Sequence, residues 1–225
     1  MRVAGVPPTN GFLVANHISW LDIYAINALA PSAFVSKDDV RAWPVIGWLS
    51  QKTGTIFMER GSRNAAMRTK EYIAKELRRN ACVAVFPEGT TTEGEAMLPF
   101  HSALFQSAID AGARVTHVAL RYTGSDGIRA TAPSYAGDTT LWESLRTVVA
   151  SSGLTAHLAF LPALGEIGAE RRQLAQHAHQ LIASHLGRPG ADKAVETPGD
   201  LPDALPSGCL PTDNRNPRPA GSPPA

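Results

Sequence analysis

The sequence predicts an α/β fold: a single-domain sandwich of helices around a largely parallel or mixed central sheet, followed by a disordered C-terminal tail. Three observations carry this. Short apolar runs alternate with longer stretches of helical periodicity from residue 12 to residue 186. One run, Cys82-Val83-Ala84-Val85-Phe86, is apolar throughout, as expected of a strand covered on both faces. After Gly187 the texture changes, with nine of the 17 prolines in 188–225 and few large apolar residues to offset the entropy of ordering. The expected organisation is one domain over 1–187, with its motifs within about 5–122, and a Pro-rich tail over 188–225.

The elements follow in order. Phe12-Leu13-Val14-Ala15 reads as a buried strand, followed by a polar turn and an apolar helix from Trp20 to Leu29. Ala33–Ser36 is a second strand, Pro44–Lys52 a short helix that Gly54 breaks, and Thr55–Met58 a third strand. Ser62 is an N-cap candidate for a long helix to Arg79, with Ala66, Ile73, Ala74 and Leu77 on one side. After the 82–86 strand come a helix over 102–111, a strand over 114–120, a helix over 141–150, a strand over 157–161 and a helix over 169–186.

Composition bounds the function. The chain has 225 residues, 44% hydrophobic and 18% charged, and a net charge of +1 provides no global field to recruit nucleic acid. The two cysteines, one in a strand and one in the tail, make a poor disulfide pair and fit a reducing compartment. No run approaches the roughly 20 apolar residues of a membrane-spanning helix. Nor does the N-terminus have the apolar core of a signal peptide. Work on a lipid would therefore be done from a membrane surface.

Three segments carry chemistry. His17 and Asp22 flank the turn after the first strand, where α/β sheets bind ligands. A histidine there suits a general base, and a carboxylate five positions on can accept its other ring N–H. Structural satisfaction of a buried histidine explains the pair as well. Phe86-Pro87-Glu88-Gly89-Thr90 places a carboxylate and a flexible glycine at a strand end, which is also how an ordinary strand-ending turn reads. Gly54–Arg60 delivers an arginine suited to phosphate, or a surface arginine paired with Glu59. His177, His179 and His185 lie on the last helix, but His177 and His179 are two apart and face different directions, so no shared metal site follows.

In this order the three segments resemble the first three sequence blocks of the phospholipid/glycerol acyltransferase family. His17 and Asp22 match its HxxxxD block, Gly54, Phe57 and Arg60 its second, and Phe86-Pro87-Glu88-Gly89 its FPEG block; Val115–Leu120 resembles a fourth. The resemblance implies transfer of a fatty acyl group from an acyl-carrier-protein or coenzyme A thioester to a lysophospholipid hydroxyl, without cofactor or metal. 1-Acylglycerol-3-phosphate, giving phosphatidic acid, is the leading acceptor. It further implies His17 as base and Asp22 as its partner, with Arg60, Glu88, Gly89 and Thr90 holding the acceptor, at the cytoplasmic face of the inner membrane.

The chain departs from the family at Thr91, where many members carry Arg, at His117, where Pro is usual, at Phe100–Ala103, and in the short stretch before the first block. Thr91 keeps a second acceptor in view, a lyso-ornithine lipid. A non-catalytic lipid-surface protein is a third reading. The run from Trp43 to Leu49 and the basic helix after Ser62 are candidates for contact with a membrane surface, and also for core packing and a solvated face.

Overall fold

Phe12 and Val14 turn to one face of a central sheet while Leu13 and Ala15 turn to the other, and all four are buried. This period-two division of a wholly apolar run places the first predicted strand in the middle of two layers of helices. The computed structural model describes residues 1–37, 56–58, 63–164 and 170–188. The predicted helix over 44–52, the Trp43–Leu49 run, Arg60, Ser62 and the tail from 189 lie outside the described residues.

The strands are β1 (Arg2–Ala4), β2 (Gly11–Ala15), β3 (Ala33–Lys37), β4 (Ile56–Met58), β5 (Cys82–Val85), β6 (Val115–Thr123) and β7 (Thr155–Leu164). They form a seven-stranded sheet in the order β1-β7-β6-β2-β5-β3-β4. The strands from β6 to β4 in that order run parallel; β7 pairs antiparallel with β6, and β1 parallel with β7. The sheet is therefore mixed only at one edge. The helices are α1 (Leu21–Asn27), α2 (Arg63–Arg78), α3 (Phe105–Ala111, entered through a 3₁₀ turn over Ser102–Leu104), α4 (Leu141–Ala150) and α5 (Arg171–His185).

One core packs Ile73 and Leu77 of α2, Phe105 of α3 and Leu174, Ala178 and Ile182 of α5 against Phe12, Val14, Val83 and Val85. The other packs Ile26 of α1 with Leu13, Phe34, Ala84, Val118 and Leu120 on the opposite face. Cys82 is a free, buried thiol. Strand β1 is not anticipated by the sequence: its three residues are exposed and carry no apolar pattern. Pairing with β7 forms it.

The register positions the site. Val14 lies opposite Val85, and Ala15 opposite Val118. The chain thus leaves β2 and β5 at the same end of the sheet, beside the last residues of β6, and the segments after Ala15 and Val85 meet there.

Candidate active site

The turn after β2 is built by side chains bonding to backbone. The buried Asn16 amide donates to the Leu120 carbonyl at 3.0 Å and accepts from the Leu120 N–H at 2.8 Å, extending the β2–β6 ladder with a side chain. Ser19 and Asp22 then start α1 reciprocally. The Ser19 hydroxyl accepts from Leu21 N–H at 3.2 Å, and the Asp22 carboxylate accepts from Ser19 N–H at 2.9 Å.

Asp22 has no accessible surface and accepts four hydrogen bonds. Its Oδ2 takes Ile18 N–H at 2.7 Å, Ser19 N–H and His17 Nδ1 at 2.9 Å. Its Oδ1 takes the Tyr122 hydroxyl at 2.7 Å. Burial, then the Asp22 charge and that hydrogen bond, drive the Tyr122 phenol far above its ordinary range, so it stays a donor. Because an acceptor faces Nδ1, the assigned tautomer puts the proton there. His17 Nε2 has no partner among the described residues and keeps a lone pair for a proton.

The segment after β5 closes over this turn. The Phe86 ring stacks on the His17 ring, centroids 3.9 Å apart and planes within 10°. Glu88 is buried, and its two oxygens accept from His17 N–H and Leu98 N–H, each at 2.8 Å. Burial pushes its carboxyl above the usual carboxylate range, opposed by those two bonds and by the charges of His17 and Arg188. Gly89 has φ +71°, and a Cβ there would stand 3.3 Å from the His101 ring. Thr90 is exposed on the same segment. Thr91 donates its hydroxyl to the Tyr135 carbonyl, Thr92 N–H reaches the His17 carbonyl at 2.9 Å, and Tyr135 N–H reaches the Ile18 carbonyl at 3.0 Å. Trp20 ties α1 to α4 through Nε1 to the Ser144 hydroxyl at 3.0 Å.

The structure thus brings His17 and Asp22 into contact and joins Glu88 to them through the His17 backbone, with Gly89 and Thr90 continuing that segment. Asn16, Ser19 and Tyr122 are the participants the sequence reading did not single out. Among the described residues, no group of three or more His, Cys, Asp or Glu side chains could hold a metal ion.

A family model described as Acyltransferase matches residues 3–121. The chain belongs to the acyltransferase family. The match runs from β1 through most of β6, so it contains both segments of the site and stops one residue short of Tyr122. The chain is 39% identical over 183 residues to the lyso-ornithine lipid O-acyltransferase of Pseudomonas aeruginosa, across 81% of this chain and 70% of that one. It is 46% identical over 153 residues to the 1-acyl-sn-glycerol-3-phosphate acyltransferase of Neisseria meningitidis serogroup B, across 68% of this chain and 60% of that one. Its fold is that of the crystal structure of the 1-acyl-sn-glycerophosphate (LPA) acyltransferase PlsC from Thermotoga maritima. That likeness has a TM-score of 0.59 at 21% identity and covers 83% of this chain and 70% of the other. In this acyltransferase the dyad, the buried glutamate and the stacked phenylalanine therefore form one bonded unit at the end of the sheet.

Proposed function

We propose that this acyltransferase moves a fatty acyl group from a thioester, carried by acyl-carrier protein or coenzyme A, to the free hydroxyl of a lysolipid. His17 Nε2 takes the hydroxyl proton as the oxygen attacks the thioester carbonyl carbon. The resulting tetrahedral adduct collapses by breaking the C–S bond, and the departing thiolate receives the proton from His17, leaving an ester and a free thiol. Asp22 holds the tautomer and stabilises the transient imidazolium. No acyl-enzyme is needed. The observation that carries this reading is the His17–Asp22 contact with Nε2 unpartnered among the described residues.

The four donors converging on Asp22 argue against a merely lipid-binding descendant, which has no need to hold a histidine in one tautomer. Glu88 acts, in this reading, by fixing the His17 backbone rather than by touching the acceptor, since both its oxygens are engaged. Gly89 and Thr90 line the acceptor side, and Arg60 is assigned to the headgroup on the sequence match alone. 1-Acylglycerol-3-phosphate is the leading acceptor. A lyso-ornithine lipid is the second, favoured by the uncharged Thr91 and by the long alignment with the Pseudomonas protein. The protein is assigned to the cytoplasmic face of the inner membrane as a peripheral enzyme; no helix among the described residues is long and apolar enough to cross a membrane.

The test is a panel of lysolipids with acyl-carrier-protein and coenzyme A thioesters, products identified by mass. Wild type is expected to esterify at least one lysolipid. His17→Ala is expected to lower turnover by about 10²–10⁴-fold, the effect of losing a positioned base. Full turnover in a folded His17→Ala protein would refute the mechanism.

A further inference from the structure

Helix α5 ends so as to deliver a cation beside the segment after β5. Gly187, at φ +63°, donates its N–H to the Ser184 carbonyl at 3.0 Å, and Arg188 donates its N–H to the Ala183 carbonyl at 2.9 Å. These are the two bonds of a Schellman cap, and they fix the chain direction at Arg188. Its side chain lies over the segment after β5. Nη2 is 3.6 Å from where a Cβ on Gly94 would stand, and that same point is 3.2 Å from Ile18, the neighbour of His17. Gly94 itself takes φ +80°, and a Cβ there would press on Ile18 while meeting Nη2 only at ordinary contact distance.

Among the described residues the Arg188 guanidinium makes no ion pair. Nη1 is shielded from solvent and has no hydrogen-bond partner among the described residues. Burial lowers the Arg188 pKa, the Glu88 charge opposes this, and Arg129 adds to it. Glu88 is near enough to be felt but makes no ion pair with Arg188, and both its oxygens accept backbone bonds. Arg129 is itself tied to the Glu93 carbonyl and to Glu95. A half-buried guanidinium with one nitrogen shielded and unpaired among the described residues is unfavourable to folding. It is well suited to an oxyanion entering the cleft, which the planar fork can grip with two charge-assisted bonds.

We propose that Arg188 binds the oxyanion of the acceptor headgroup, a phosphate or carboxylate, and sets the preference for anionic over neutral acceptors. This rests on the reading of the cleft as an acyl-transfer site. Arg188 is a specificity residue here, not a base.

The test compares wild type, Arg188→Gln and Arg188→Lys with lysophosphatidic acid, lyso-ornithine lipid and uncharged 1-acylglycerol as acceptors. Arg188→Gln is expected to lower the kcat/KM ratio of the preferred anionic acceptor over 1-acylglycerol by about 10–100-fold, mostly through KM, with Arg188→Lys intermediate. Its Tm is expected to hold or rise, since an uncompensated charge is removed. Inorganic phosphate is expected to raise the Tm of wild type and not of Arg188→Gln. An unchanged acceptor ratio, a rise in KM for the thioester alone, or a lowered Tm in Arg188→Gln would each overturn the assignment. If wild type acylates no acceptor while phosphate still stabilises it through Arg188, the acyl-transfer reading fails and the anion site stands.

Discussion

His117 lies within β6 with no accessible surface, and among the described residues neither ring nitrogen has a hydrogen bond of good geometry. Burial lowers its pKa from 6.5 to about 4, with the Pro162 carbonyl opposing and the charge of His177 on α5 reinforcing. The folded chain therefore keeps the ring neutral where the unfolded chain would bind a proton. Its contribution to stability is complete above the unfolded value and is lost as pH falls from 6.5 toward 4. The total loss is roughly 3 kcal/mol. His117→Leu is expected to flatten the pH dependence of urea unfolding between pH 7.5 and 4.5 by about 2–3 kcal/mol relative to wild type. Identical slopes for the two proteins would remove His117 from the account. At this scale, legibility followed sequence distance. His17 and Asp22 stand five positions apart, so their contact was readable as a spacing. Tyr122 reaches Asp22 across 100 positions, and Asn16 reaches Leu120 across 104. Nothing local marks such pairs. The Glu88 carboxylate was legible as a group at a strand end, but the backbone donors that engage it were not.

Three helices stop in the same way. Asn80, Gly112 and Gly187 each take a left-handed conformation, and Ala81, Ala113 and Arg188 then donate to carbonyls five residues back. A Cβ at Gly112 or Gly187 would meet nothing within 4 Å, so alanine there is disfavoured by backbone conformation alone. Gly112→Ala and Gly187→Ala are each expected to cost about 1 kcal/mol. For a domain of this size that is a fall of roughly 2–4 °C in Tm. Of the two, only Gly187→Ala is expected to disturb the preference for anionic acceptors, because only that cap aims Arg188. Equal losses of stability with equal changes in acceptor preference would separate the cap from the cation. Elements were the most legible level. The α4 boundaries agree with the expectation, since Thr140 and Glu143 form a capping box that is visible as residues. β6 and β7 extend beyond their apolar runs to Thr123 and back to Thr155, because cross-strand pairing continues after the apolar pattern ends. β1 has no pattern of its own, and its partner lies some 155 positions away.

Under the proposed acyl transfer to a lysolipid, the acceptor is drawn from a bilayer, and helix α4 offers an exposed apolar surface for that contact. Trp142, Leu145 and Val149 are 66%, 37% and 76% exposed, and their i, i+3, i+7 spacing puts them in one stripe on α4. The opposite side of that helix is anchored through Ser144 to Trp20, within the segment that carries His17 and Asp22. An apolar stripe directed at solvent, on a helix whose Ser144 is bonded to the turn that carries His17, suits the headgroup–acyl boundary of a membrane. The sequence reading offers the Trp43–Leu49 run, which lies outside the described residues, and the basic helix α2 as membrane contacts. The stripe on α4 is a further candidate, which sequence did not mark because that spacing is also what a core helix shows and only burial tells the two apart. Trp142→Ser combined with Val149→Ser is expected to weaken binding to vesicles of anionic phospholipid roughly tenfold or more in high salt, where electrostatic attraction is screened. Turnover on a water-dispersed short-chain lysolipid is expected to survive, because neither side chain enters the bonded network around Asp22. Unchanged sedimentation with vesicles would rule out α4 as a membrane contact; loss of turnover on the dispersed substrate as well would mean that α4 supports the turn that carries His17 rather than meeting the bilayer.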